Sequence, residues 1–356
     1  MSGGGSRPSK NNCQAGSHGG NAAESGFGLP AGLGTRPISV ERDVSLREEC
    51  VHELTSGTQA TMVRDALRSW RDWFESYENS HITFERDDGK TVRTALENSY
   101  MPSYGKRYYA KLKGLEREIE RRYESLTTVM LTFSASHENA NGGWRCPADH
   151  MRDIADGWDT ARKHLYHVLS GRNWEYAKVW EPHEDGYGHM HVAVFVDGEA
   201  TAGEFRPVIE KYTETVKSAG SEAHALDEAV SVNDDVENVG SYISEYIGIF
   251  GDETLSRPVS EQLFYAVTWA TNTRRVEFSN GAQEMVRDDR KRQRREEAGV
   301  TPEDRGGDED DGPTWTATEI VVVEDGEPRG GEPSAGGVRT RRIDGRPGAD
   351  PEKFVP

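Results

Sequence analysis

Residues 174–196 read WEYAKVWEPHEDGYGHMHVAVFV, and this stretch decides the fold. VAVFV is β-branched and aromatic and predicts a buried strand, and WEYAKVWE predicts another. PHEDGYG between them is rich in turn formers, so the two strands make a hairpin. Successive side chains on a strand point to opposite faces. His189 and His191 therefore project together, roughly 7 Å apart along the backbone, while Met190 points into the core. Glu181 at the end of the first strand comes near His189 on the second. Two imidazoles and one carboxylate suit Mn²⁺ or Mg²⁺, with positions left for phosphate oxygens and water. His183, in the turn, competes with Glu181 as third ligand.

The sequence around the hairpin extends the pattern. LTTVMLTFSAS, residues 126–136, predicts a strand. Residues 147–171 have helical periodicity and stop at Gly171. Residues 202–220 predict a helix, with Pro207 tolerable only in its first turns or at a kink. A short strand is expected near 229–232 and a helix over 237–250. The resulting order, β-α-β-β-α-β-α, implies an α+β domain: an antiparallel sheet with helices on one face. The last helix, in NVGSYISEYIG, carries Tyr242 and Tyr246, which four-residue spacing places on one helical face. The same spacing recurs at Tyr100/Tyr104 and Tyr104/Tyr108, so spacing alone does not single the pair out.

Taken together, MLTFSAS, HMHVAVFV and YISEYIG resemble the three motifs of the HUH endonucleases, most closely the rolling-circle replication initiators (Rep proteins) of small plasmids and viruses. The resemblance covers about residues 126–275. It implies a ferredoxin- or RRM-like core and a divalent ion on His189 and His191, with Glu181 as third ligand. It also implies Tyr242 and Tyr246 as nucleophiles that cut one strand at an origin, leaving a 5′-phosphotyrosine and a free 3′-OH. Single-stranded or melted origin DNA is the implied partner, with host helicase and polymerase. The chain departs from one-tyrosine members, which often carry a lysine where Tyr246 stands, and so looks more like the two-tyrosine branch. Glu245 is adjacent to Tyr246 and points about 100° away on a helix, which removes it as an obvious water activator. A transposase or relaxase uses the same chemistry on other DNA. A non-enzymatic plasmid-binding or copy-control protein has no need of the aligned ligands.

Composition bears on the partner. The formal charge is −19 over 356 residues, unusual for a protein that grips a polyanion, since a nucleic-acid binder is expected to show basic patches. Arginine outnumbers lysine about three to one, and this acid-rich, lysine-poor balance resembles proteins of haloarchaea. Molar salt screens charge over only about 3 Å and weakens phosphate contacts by counterion competition. Two stretches run against the acidic trend. Residues 104–124, YGKRYYAKLKGLEREIERRYE, interleave aromatic and basic residues as a track for single-stranded DNA would, although 116–124 also reads as a solvated helix with Glu/Arg pairs. Arg287, Arg290, Lys291, Arg292, Arg294 and Arg295 form a second cluster, to touch DNA or to close the domain.

The expected organisation is a disordered tail over 1–38, a helical extension over 39–125 and a catalytic domain over 126–285. A basic then acidic linker over 286–313 follows, and a mostly disordered tail over 314–356 with one strand in TWTATEIVVVEDG. Residues 1–38 lack the apolar core of a signal peptide, and no 18-residue apolar run predicts a membrane span. Cys13, Cys50 and Cys146 are odd in number and far apart, as in a reducing cytoplasm. No G-x-x-x-x-G-K-[ST] motif for a built-in helicase occurs.

Overall fold

The computed structural model describes residues 29, 32–39, 47, 53–55, 58–78, 80–139, 141–233, 254–297, 315–324 and 337–342. In chain order the strands are β1 (Pro37–Ser39), β2 (Glu53–Thr55), β3 (Thr58–Met62), β4 (His81–Arg86), β5 (Thr91–Ala95), β6 (Leu126–Phe133), β7 (Trp174–Pro182), β8 (Gly188–Asp197), β9 (Val230–Asn233), β10 (Val276–Phe278), β11 (Trp315–Glu324) and β12 (Gly337–Arg342). The helices are α1 (Val63–Glu78), α2 (Pro102–Arg122), α3 (Pro147–Val168), α4 (Arg206–Thr215), the single turn α5 (Leu226–Ala229), α6 (Val259–Ala270) and α7 (Asn280–Glu297).

The expected hairpin is the centre of the molecule. β7 and β8 pair antiparallel with Val179 opposite His191 and Glu181 opposite His189. Its turn is closed by the His183 amide donating to the Tyr187 carbonyl at 2.6 Å. Gly186 occupies that turn at φ +88°, where a Cβ would also sit 2.8 Å from Leu263 and 2.9 Å from the Ser260 carbonyl. Only glycine meets both demands. β6 pairs with the other side of β8, β9 with β6, and β10 with β7, giving an antiparallel five-stranded sheet in the order β10-β7-β8-β6-β9. The α+β class with an antiparallel sheet is thus as expected.

The layering departs from the expectation of helices on one face, because β8 is apolar at both parities. Met190, Val192, Val194 and Val196 join Val129, Leu131 and Phe133 under α3, α4, α6 and α1. Ala193 and Phe195 join Met130, Ala177 and Val179 on the opposite face, where Leu112, Leu115 and Ile119 of α2 and Ala282, Met285 and Val286 of α7 cover them. A strand buried on both faces needs cover on both. Residues 116–124, read as a solvated helix with Glu/Arg pairs, keep such a pair in Glu118–Arg122 and expose Arg117, Glu120, Arg121 and Arg122, but the helix buries Glu116, Glu118 and Ile119 on the side that meets α7. Glu118 is fully buried and paired with Arg121 at 2.8 Å, Arg122 at 2.9 Å and Arg292, while Arg117 reaches Asp289 at 2.7 Å.

Other boundaries shift too. The stretch 39–125, expected to be a helical extension, holds α1 and α2 but also the β4–β5 hairpin, whose alternation is short and heavily charged. The expected C-terminal strand exists as β11, which docks antiparallel on β4 and pairs with β12 on its other edge. Residues 286–297, read as the start of a linker, continue α7. The helix predicted over 202–220 is a 3-10 turn followed by α4, with Pro207 in its first turn. The predicted helix over 237–250 lies outside the described residues.

Candidate metal centre

Strand alternation and register build the site. His189 and His191 share the parity of Ala193 and Phe195, and Glu181 that of Ala177 and Val179, so all three belong to the sheet face covered by α2 and α7. They stand at the end of that face, past the apolar residues the helices cover. Glu181 Oε2 lies 2.9 Å from His191 Nε2 and 3.2 Å from His189 Nε2. One ligand atom from each residue falls within 4.8 Å of the others. The imidazole centroids are 4.7 Å apart.

The electrostatics follow from partial burial. Burial opposes ionisation of Glu181, but hydrogen bonds from His189 and His191 outweigh it and hold its pKa down to about 2. His191 is pushed below the ordinary imidazole value by burial, against the pull of Glu181. A neutral imidazole and an ionised carboxylate are the forms that bind metal. His191 Nδ1 lies 3.1 Å from the Thr132 hydroxyl on the paired strand β6, which fixes the ring with Nε2 facing the cluster. His189 Nδ1 is buried with no hydrogen-bond partner among the described residues.

These residues fit a divalent cation. Bonds of ~2.1 Å at right angles put neighbouring donor atoms ~3 Å apart, close to the two distances found between Glu181 and the imidazoles. The set of two nitrogens and one oxygen leaves half an octahedron for other ligands.

His183 stays beside the cluster, its ring centroid 6.0 Å from that of His189, and pairs with Asp185. Its Nδ1 lies 3.5 Å from Asp185 Oδ1, and the same carboxylate takes His137 Nδ1 at 2.8 Å. Asp185 raises the pKa of both histidines, and they together hold its own below the usual carboxylate range despite burial. Sequence reading missed Thr132 and Asp185. Thr132 carried a legible signal only once the β6–β8 register was known. His150, next to Cys146 in space, donates from Nε2 to the Gly188 carbonyl at 2.9 Å and so braces the start of β8.

Tyr242 and Tyr246, the candidate nucleophiles, lie outside the described residues. Their segment rejoins the described fold at Thr254, whose hydroxyl donates to the Tyr100 carbonyl. The next helix, α6, packs on the turn that leads into His189: a Cβ on Gly188 would meet the Phe264 ring at 2.7 Å.

The fold and site thus define an α+β protein with a two-histidine, one-carboxylate cluster at the end of its central strand. A family model described as "Putative rep protein (DUF1424)" matches residues 39–333, and the chain belongs to that family. It is 33% identical over 307 residues to an "Uncharacterized 36 kDa protein" of Halobacterium salinarum, covering 80% of this chain and 94% of the relative. A second protein of that description, from Halobacterium sp. (strain GN101), is 31% identical over 312 residues, covering 80% and 92%. No solved structure matches. No helix among the described residues is long and apolar enough to cross a membrane.

Proposed function

We propose that the chain initiates rolling-circle replication as a metal-dependent nickase that cuts one DNA strand by tyrosine attack, in a halophilic archaeal cell. The observation that carries this reading is the convergence of Glu181, His189 and His191 on one point, in a member of a Rep-type family. A divalent cation held by these three would neutralise charge on a non-bridging oxygen of the scissile phosphate.

The chain's own residues supply the rest. Glu181 and the two imidazoles would hold that cation, and Thr132 keeps His191 in the orientation that serves it. A hydroxyl of Tyr242 or Tyr246 forms the new P–O bond as the P–O3′ bond breaks. The tyrosine proton is lost and the departing 3′-oxygen gains one, leaving a free 3′-OH to prime synthesis. The phosphotyrosine conserves the energy of the broken bond, so rejoining needs no nucleotide. With two tyrosines, one holds DNA while the other cuts.

The test is a nicking assay on labelled single-stranded DNA spanning the origin of the chain's own replicon, in high KCl with Mn²⁺ or Mg²⁺. Wild type should give a metal-dependent covalent adduct that is lost in His191→Ala and in one of Tyr242→Phe and Tyr246→Phe. No adduct from folded protein on the correct origin would overturn the nickase and leave a DNA-binding or accessory protein.

A further inference from the structure

On the sheet face that carries the metal cluster, α2, α7 and β10 enclose a groove of about 430 Å³, within the ~300–1,000 Å³ range of ligand sites. Two helical stripes line it. Tyr104, Tyr108 and Lys111 follow one another at four and three residues on α2, and Arg287 and Arg290 at three on α7. Val276 and Phe278 of β10 form the floor. Tyr108 stacks on Phe278 with centroids 5.8 Å apart and meets Tyr104 at 4.5 Å. Lys111 Nζ lies 4.1 Å from the centre of the Tyr108 ring.

The charge pattern is selective. Further along the same two helices the cations are spent on carboxylates: Arg117 on Asp289, Arg122 on Asp288, Arg121 and Arg292 on Glu118. Among the described residues, Lys111, Arg274, Arg287 and Arg290 of the groove take part in no ion pair, and the one acid there, Glu277, is held by Lys178 at 3.0 Å. Burial, helped by Arg290 and Arg107, lowers Lys111 to about 8, as expected where cations repel with no anion between them. A chain of net charge −19 that leaves four cations together over aromatic rings has assembled a site for an anion with flat groups.

The groove also leads to the metal cluster. Val276 pairs with Val179, and Val179 with His191, so its floor is two strands, ~10 Å, from the ligands. The Arg275 carbonyl accepts from the Trp180 amide at 2.8 Å, which sets Arg274 beside the Glu181 end.

We propose that this groove binds single-stranded DNA next to the scissile phosphate, with Lys111, Arg274, Arg287 and Arg290 on the phosphates and the tyrosine-lined wall against a base. The proposal rests on the reading of the chain as a DNA-cutting initiator, and its test is separable from nicking. Anisotropy of a fluorescein-labelled oligodeoxythymidine is measured on the full-length Tyr242→Phe/Tyr246→Phe chain in EDTA, so that no cleavage contributes, across a KCl series. Arg290→Glu, at an exposed position, and Lys111→Glu, at a half-buried one, should each weaken binding about 10-fold and flatten the dependence of log Kd on log salt by ~0.7 per lost phosphate contact. Tyr104→Leu should weaken it at least ~5-fold with the slope unchanged. Arg68→Glu, on α1 across the sheet, should change nothing. Binding that is absent in the parent chain, or that survives Arg290→Glu and Lys111→Glu with its slope intact, overturns the groove whatever the nicking assay gives. Equal binding of a duplex overturns the single-strand assignment. Groove-dependent binding by a chain that forms no adduct sustains the groove and overturns only the nickase.

Discussion

At the scale of single residues the cluster depends on two supports that are not ligands. Thr132 holds His191 through Nδ1 at 3.1 Å. Thr132→Val keeps the volume and removes that bond, and outer partners of ligating histidines are worth about 10- to 100-fold in affinity. Mn²⁺ titration calorimetry should therefore show at least ~10-fold weaker binding with unchanged circular dichroism; equal affinity would show that the ring is held by packing alone. His150 is the second support. Burial pushes its pKa down from 6.5 to about 4, against the raising effect of its bond to Gly188. Between those values the unfolded chain holds a proton that the folded chain rejects, so stability is present at neutral pH and is lost as pH falls through that window. The loss is about 1.4 kcal/mol per pH unit and roughly 3 kcal/mol in all. Urea midpoints at pH 7 and pH 5 should show wild type losing its advantage over His150→Gln as acid is added; parallel behaviour would show that His150 does not report burial.

At the scale of elements, close approach of helices decides what substitutions are tolerated. Gly157 of α3 faces α4 so tightly that a Cβ there would lie 2.6 Å from the Tyr212 ring and closer still to Val216. Glycine to alanine inside a helix ordinarily stabilises by up to ~1 kcal/mol. Here overpacking reverses the sign, and Gly157→Ala should destabilise by about 1–3 kcal/mol in equilibrium unfolding. A gain in stability would mean that α3 and α4 separate freely. The same closeness explains why the second helical layer was not legible in the sequence. Glu116 and Glu118 read as solvent-facing, yet both are buried, Glu116 paired with Lys113 of its own helix and Glu118 with arginines of both α2 and α7.

For the whole molecule, charge sets the working conditions. A formal charge of −19 opposes compaction by self-repulsion, and molar salt shortens the Debye length to ~3 Å. The thermal midpoint should rise steadily with KCl from ~0.1 M to ~2 M. A flat profile would mean that the acidic residues are already compensated by local pairs such as those on α2 and α7. Salt that stabilises the fold also weakens phosphate contacts. Four cations grouped beside aromatic rings in one groove, Lys111, Arg274, Arg287 and Arg290, suit such conditions, because stacking on the rings adds to what salt weakens.

The amino-acid sequence by itself determined the hairpin, the antiparallel α+β class and the approach of Glu181 to His189 and His191. These depend on two-residue alternation and a short turn, which are local properties of the chain. It also carried β9 and β11, whose apolar runs were readable. Only the tertiary structure decided that His183 turns to Asp185 and that Thr132 backs His191. Only it covered the sheet on both faces and set the Tyr104–Lys111 stripe of α2 opposite Arg287 and Arg290. The physical reason is that such contacts depend on how the turn and the elements pack, not on any local period: Thr132 and His191 are 59 residues apart and Arg117 and Asp289 are 172 apart. Register and packing fix them, and no period in the sequence encodes which buried carboxylate will meet which arginine.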